Sequence, residues 1–365
     1  MIKFYDITKN DNKYSKKIFE TIKYNIRNND FVNGNSKKLF EKNFAKYIGV
    51  KHCIGVANGT DALEIALRAL NLPKNSEVLL QWNTYISTAF SISNNDLKPI
   101  FVDVNIETHM IDIDNIEKYI TPKTKAICVV HLYGSSPNME KIIYIANKYR
   151  LYLIEDCAQS HGSLYKKQKT GSFGHISCFS FYPSKNLGCY GDGGAICTND
   201  QCLYEQIVLL HNLGIKGKNN HILIGKNSRL DSIQASILDL KLQYLDMNNM
   251  KRNRIANIYI SHLKSEKKII LPIIDENCSP VWHLFVIRVL NNKRDCLKSF
   301  LEKYNIETAI HYPIPIHKQQ AYLQGNDTYV NSEIICDQLL SLPMYPSLEL
   351  KHIYYICYKI KLFFM

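Results

Sequence analysis

LYLIEDCAQSHG, residues 151–162, is an apolar run that ends on two carboxylates, Glu155 and Asp156. Ligands of open α/β sheets bind beyond the carboxyl ends of the strands, so a buried strand of this kind would deliver Asp156 to a ligand edge. Working outward, short apolar runs at 77–80, 98–102, 126–130, 151–154 and 175–181 read as strands. Helical stretches lie between them, 62–70 with its apolar residues on one face and 138–149. Strands alternating with helices predict an α/β fold with a largely parallel sheet, the helices serving as crossovers. Beyond about residue 248 the character changes. A basic helical segment at 251–263, a strand-like stretch at 282–289 and a helix at 296–304 suggest a second, smaller domain, with a proline-containing surface loop after them.

The chain has 365 residues, 46% hydrophobic and 21% charged, enough for a substantial core. Its formal charge of +12 comes from scattered lysines, without the basic run interleaved with aromatics that a nucleic-acid groove needs, so no nucleic-acid partner is expected. The eleven cysteines stand singly, with no zinc spacing, and read as reduced, buried small hydrophobes; no metal site is expected. No segment has the length of a membrane span and the first residues lack a signal-peptide pattern, so the expected location is cytoplasmic.

Three segments carry chemistry. In VANGTDALEIALRAL, residues 56–70, a polar loop with Gly59, Thr60 and Asp61 opens an amphipathic helix; it suits a phosphate, or is an ordinary helix cap. Asp156 either faces a pyridine nitrogen, keeping it protonated, or caps the turn that follows it. In SCFSFYPSKNLGCYGDGGAICTND, residues 177–200, Lys185 follows a strand end within a turn, five positions after Ser180. Desolvated there, its amine could attack an aldehyde; alone, it would be a surface lysine. These three features occur in the order that one ligand would require.

The segments NGTDAL, NTYISTAFSI, FVDV, HLYG, EDCAQSHG, SFYPSKNLG, GDGGAI, GKNSRLDSIQA and HYPIPIHKQQAY, in order over nearly the whole chain, resemble the DegT/DnrJ/EryC1/StrS family of sugar aminotransferases. The resemblance implies the aspartate-aminotransferase fold (fold type I), α/β with a mixed, mostly parallel seven-stranded sheet. It places a large cofactor domain with an N-terminal helical segment at 1–247 and a smaller α/β domain at 248–365. It also implies pyridoxal 5'-phosphate, carried covalently by Lys185, with Asp156 at the pyridine nitrogen, Gln159 on the phenolic oxygen side and Tyr85 stacked on the ring. Gly59, Thr60, Asp61 and Ser180 would serve the phosphate. Asn227 would reach it from a neighbouring subunit, making a homodimer with shared active sites. Tyr182, Arg229, His311, Tyr312 and His317 are the substrate-binding candidates.

The implied reaction transfers the amino group of L-glutamate to a nucleotide-linked keto sugar, dTDP-3-keto-6-deoxyhexose, giving the 3-amino-3,6-dideoxy sugar for glycan or lipopolysaccharide synthesis. The version of HYPIPIHKQQAY present here resembles carbon-3 enzymes more than carbon-4 ones. The alternatives are a 4-aminotransferase on a dTDP- or UDP-4-keto-6-deoxyhexose and a non-catalytic regulatory relative. A related dehydratase would carry histidine where Lys185 stands. One departure is Trp82, directly before NTY, which either walls the site or fills the core.

Overall fold

All five expected strands form, and all lie in one seven-stranded sheet of a computed structural model that describes residues 1–323 and 329–365. In spatial order the strands are His52–Val56, Gly194–Thr198, Ile176–Ser180, Tyr152–Asp156, Thr124–Val130, Glu77–Gln81 and Lys98–Val102. Only Gly194–Thr198 runs antiparallel to its neighbours. The central strand Glu77–Gln81 is buried along its whole length, as expected of a parallel sheet covered on both faces.

Two strands have no counterpart in the expected pattern, His52–Val56 and Gly194–Thr198. Each contains a glycine, which hides it from an apolar-run reading, and each glycine answers to close packing. A Cβ at Gly55 would stand 2.8 Å from Leu230 Cβ, and one at Gly194 would stand 2.4 Å from the Asn58 carbonyl oxygen. The antiparallel strand therefore presses its start against the loop that opens helix Gly59–Ala69. That helix begins three residues earlier than its apolar periodicity indicated, because Asn58 caps it by accepting the Asp61 N–H.

A second core surrounds the three-stranded sheet Ile269–Ile270, Phe285–Val289 and Leu339–Leu342, with helices Arg294–Lys303 and Leu350–Phe364. The expected boundary after residue 247 falls inside helix Leu245–Leu263, which joins the two cores. Leu245 packs with the first, and Ile255, Ala256, Tyr259 and Leu263 pack with the second. The first residues also join the second core: Ile2 is buried there and donates its N–H to the Asn305 carbonyl at 2.7 Å. The stretch expected as a strand from residue 282 becomes one only at Phe285, because Trp282 takes a left-handed backbone conformation (φ +47°). The proline-containing loop holds two short 3-10 turns, Ile316–Lys318 and Gln320–Tyr322, and buries Ile316. Among the described residues, no helix is long and apolar enough to cross a membrane.

Candidate active site

The carboxyl ends of the parallel strands open on a cavity of about 650 Å³, and each turn leaving them contributes to its wall. At one end stands the start of helix Gly59–Ala69. The Asn58 cap occupies the Asp61 amide, so the Gly59 and Thr60 amides precede it at the positive end of the helix dipole. Gly59 lies so close to the strand end that a Cβ on it would stand 2.7 Å from Ser180 Cβ. Thr60 Oγ1 and Ser87 Oγ are 2.8 Å apart. Two amides and several hydroxyls around a helix start suit a phosphate. Asp61 also lines the cavity, but its carboxylate is tied to Lys226 Nζ at 2.7 Å and its amide to Asn58, so neither is directed at an anion.

Asp156 is buried at the end of its strand. One carboxylate oxygen accepts from Thr88 Oγ1 at 2.8 Å and the other from the Ala158 N–H at 3.1 Å. It therefore caps the turn and faces the cavity at once, so the two readings of this residue are compatible. Burial raises its pKa above the ordinary carboxylate value, with the two donors and the nearby Lys185 pulling the other way. Lys185 lines the same cavity from the turn after Ile176–Ser180, its backbone N–H bonded to the Tyr182 carbonyl at 2.8 Å. Desolvation lowers its amine to about 8, and Asp156 opposes that shift.

Gln159 is locked from two sides. Its Oε1 accepts the Tyr133 N–H at 2.7 Å and its Nε2 donates to the Tyr312 hydroxyl at 3.0 Å. Tyr85 is 58% exposed, and its ring lies 6.2 Å from that of Tyr312, so it is a cavity-wall residue rather than a core aromatic. Tyr182 and His311 complete the set of expected residues in the wall. His311 Nδ1 lies 2.9 Å from Ser341 Oγ, and burial together with Lys185 lowers its imidazole to about 4, so it is neutral at neutral pH.

Three expected residues are not among those lining this cavity. Asn227 is exposed and forms a bridge with Asn212; Arg229 Nη1 donates to Asn212 Oδ1 at 3.3 Å; the His317 ring packs beside Trp82 and Tyr329. Trp82 fills the core at 1% exposure, with its indole N–H bonded to Asp103. Two wall residues escaped the sequence reading. Thr88 sits within the quoted NTYISTAFSI but has no local signal for meeting Asp156, and His283 comes from the far part of the chain. A third group, His131 with Glu155 and Cys157, is fully buried beneath the site. Both Glu155 oxygens are already satisfied by His131 and by the backbone N–H groups of Gly171, Phe173 and Gly174, which gives the cluster a structural reading.

An amine of lowered basicity, a buried carboxylate and an anion-ready helix start thus share one wall. The family model of the DegT/DnrJ/EryC1/StrS aminotransferases matches residues 12–361. The chain belongs to this family. It is 44% identical over 347 residues, 95% of each chain, to the dTDP-3-amino-3,6-dideoxy-alpha-D-galactopyranose transaminase of Aneurinibacillus thermoaerophilus. The crystal structure of DesV from S. venezuelae superposes with a TM-score of 0.96 at 35% identity, covering 99% of this chain and 98% of that one. NtdA from Bacillus subtilis, solved with bound PMP, superposes at 0.90 with 33% identity, covering 99% and 85%. As a DegT/DnrJ/EryC1/StrS member the protein is a sugar aminotransferase, built on the mostly parallel sheet that its sequence pattern indicated.

Proposed function

We propose that this protein uses pyridoxal 5'-phosphate to transfer the amino group of L-glutamate to carbon 3 of dTDP-3-keto-6-deoxyhexose. The observation that carries this reading is the meeting of Lys185, Asp156 and the Gly59–Thr60 helix start around one cavity. The Gly59 and Thr60 amides with the Ser180 hydroxyl fit the cofactor's phosphate, Asp156 fits its pyridine nitrogen, and Gln159 with Tyr85 fit its ring. When bound, the cofactor supplies an electron sink for the carbanion left at an amino acid's α carbon.

The chain's own groups do the rest. Asp156, an anion out of contact with bulk water, holds the proton on the pyridine nitrogen. Lys185, released from covalent attachment by the incoming donor, takes the proton from the donor's α carbon and delivers one in the reverse sense to the sugar's carbon. Tyr182, His311 and Tyr312 stand where sugar hydroxyls or diphosphate oxygens would be bound. Carbon 3 is supported by the activity of the relative from A. thermoaerophilus. A homodimer in which Asn227 reaches the partner's phosphate site is supported by the exposure of Asn227 away from its own cavity. Ile222 and Ile224, exposed on the same segment, offer that contact an apolar surface.

Two measurements test this reading. Incubation with glutamate and either dTDP-3-keto- or dTDP-4-keto-6-deoxyglucose, followed by mass and NMR analysis, is expected to give the 3-amino sugar; amination only at carbon 4 overturns the assignment. The second follows the lysine. With a pKa of about 8, the neutral amine is lost as pH falls through that value, so covalent capture of the cofactor by cofactor-free protein, trapped with borohydride, should slow by about tenfold per pH unit below it and level off above. A midpoint near the ordinary lysine value of 10.5 would contradict the desolvated placement.

A further inference from the structure

His283 reaches the cavity through a constrained turn. Trp282, just before it, holds φ +47°, a costly conformation for a bulky residue that persists only when its surroundings impose it. They do so from both sides. The Trp282 indole N–H donates to Asn253 Oδ1 at 2.8 Å, and buried Arg252 donates to the carbonyls of Trp282 and His283 at 3.1 and 3.3 Å. Opposite, Gly134 approaches so closely that a Cβ would stand 2.7 Å from the His283 nitrogen. The turn sends the indole into the second core and the imidazole into the wall that also carries Lys185.

The proton on that imidazole is assigned by a chain of amides. Asn249 Nδ2 donates to the His161 carbonyl at 2.9 Å, which turns its Oδ1 toward Asn186. Asn186 Nδ2 donates to that oxygen and to the Val281 carbonyl, each at 3.0 Å. A carbonyl only accepts, so Asn186 Oδ1 faces His283 Nδ1 at 3.2 Å and His283 must donate. A neutral ring with its proton on Nδ1 keeps a lone pair on Nε2. Burial disfavours a second proton, as do the groups around the ring: Lys185, Arg252, His311 and His161.

We propose that His283 Nε2 accepts a hydrogen bond from the Lys185 amine whenever that amine is free of the cofactor, holding it where it exchanges protons with the substrate carbon. The proton stays on the lysine nitrogen, which makes His283 a positioning residue. Asn186, the next residue along the chain from Lys185, fixes both partners to the same turn. This rests on the aminotransferase reading, but most of its test does not.

In the cofactor-free protein, nitrogen-15 NMR of histidine is expected to show His283 in the Nδ1–H form with no titration down to about pH 5. An Nε2–H form, or titration near the ordinary histidine value, overturns the proposal. His283→Asn keeps a donor toward Asn186 and loses the acceptor, whereas His283→Gln restores an acceptor near the Nε2 position. Competitive acetylation of Lys185 in these proteins should show its pKa falling by about half to one unit in the Asn variant, because the ammonium loses its acceptor, with recovery in Gln. Identical values in all three proteins overturn the proposal. In loaded enzyme, the glutamate half-reaction should slow by about 10- to 100-fold in the Asn variant, with unchanged glutamate affinity and a larger α-deuterium isotope effect, and Gln should recover part of the rate. Weakened affinity at an unchanged rate would place His283 on the donor instead. Should wild-type protein not respond to glutamate, the aminotransferase reading fails while the first two measurements still judge the histidine. The wild-type NMR result does so even if a variant does not fold.

Discussion

Lys185→Ala is expected to abolish amination, lowering turnover by about 10⁴-fold or more while leaving a folded protein. The substitution removes two functions in one atom: the nucleophile that attaches the cofactor, and the amine that moves the proton between donor carbon and acceptor carbon. Neither has an obvious stand-in nearby. His161 and His311 are held neutral by burial, at about 3 and about 4, and are poor proton carriers at pH 7. The fold should survive, because among the described residues no hydrogen bond or ion pair of the Lys185 ammonium holds it together; only its backbone N–H is engaged, with Tyr182. Product assays with glutamate and the keto sugar check the loss. Borohydride treatment followed by mass analysis checks that cofactor is no longer trapped, and thermal melting checks the fold. Full activity in the alanine variant would remove Lys185 from the mechanism.

Asp156→Asn is expected to lower turnover by about 10²- to 10³-fold, with the loss in the rate of each half-reaction more than in the binding of glutamate. An amide carries no charge to hold a proton on a pyridine nitrogen, so the electron sink weakens. The local bonds also shift. The Ala158 N–H fixes the amide oxygen on its side, which turns the amide NH₂ toward Thr88; the threonine hydroxyl can rotate to accept, so the fold should lose only about 1 kcal/mol. Rapid mixing with glutamate, monitored through cofactor absorbance, separates the rate from the affinity. An unchanged rate would mean that Asp156 only caps its turn.

Much of the site was legible because its parts are local. The run 151–154 ending on Asp156, the turn that carries Lys185 and the polar loop before helix Gly59–Ala69 each have a pattern within a dozen residues, and their order along the chain matches one ligand. Residues whose role depends on distant partners were harder to read. Tyr85 could have been core or wall, and only the neighbouring ring of Tyr312 places it in the cavity. Asp61 had the right position for a phosphate, but its carboxylate is committed to Lys226. His317 stood in the same motif as His311 and Tyr312, yet its ring packs against Trp82 and Tyr329 instead.

By itself the sequence determined the α/β class, the buried parallel strands and the ligand edge with its lysine and carboxylate, because alternation of apolar runs, helix caps and turn residues acts over short separations. The tertiary structure alone decided the antiparallel strand Gly194–Thr198, the bond from Thr88 to Asp156 and the tautomer of His283. Each joins segments far apart in the chain. Which side chains meet there is set by close packing, as at Gly194 against Asn58 and Gly134 against His283, and close packing leaves no periodic mark in the residues that take part.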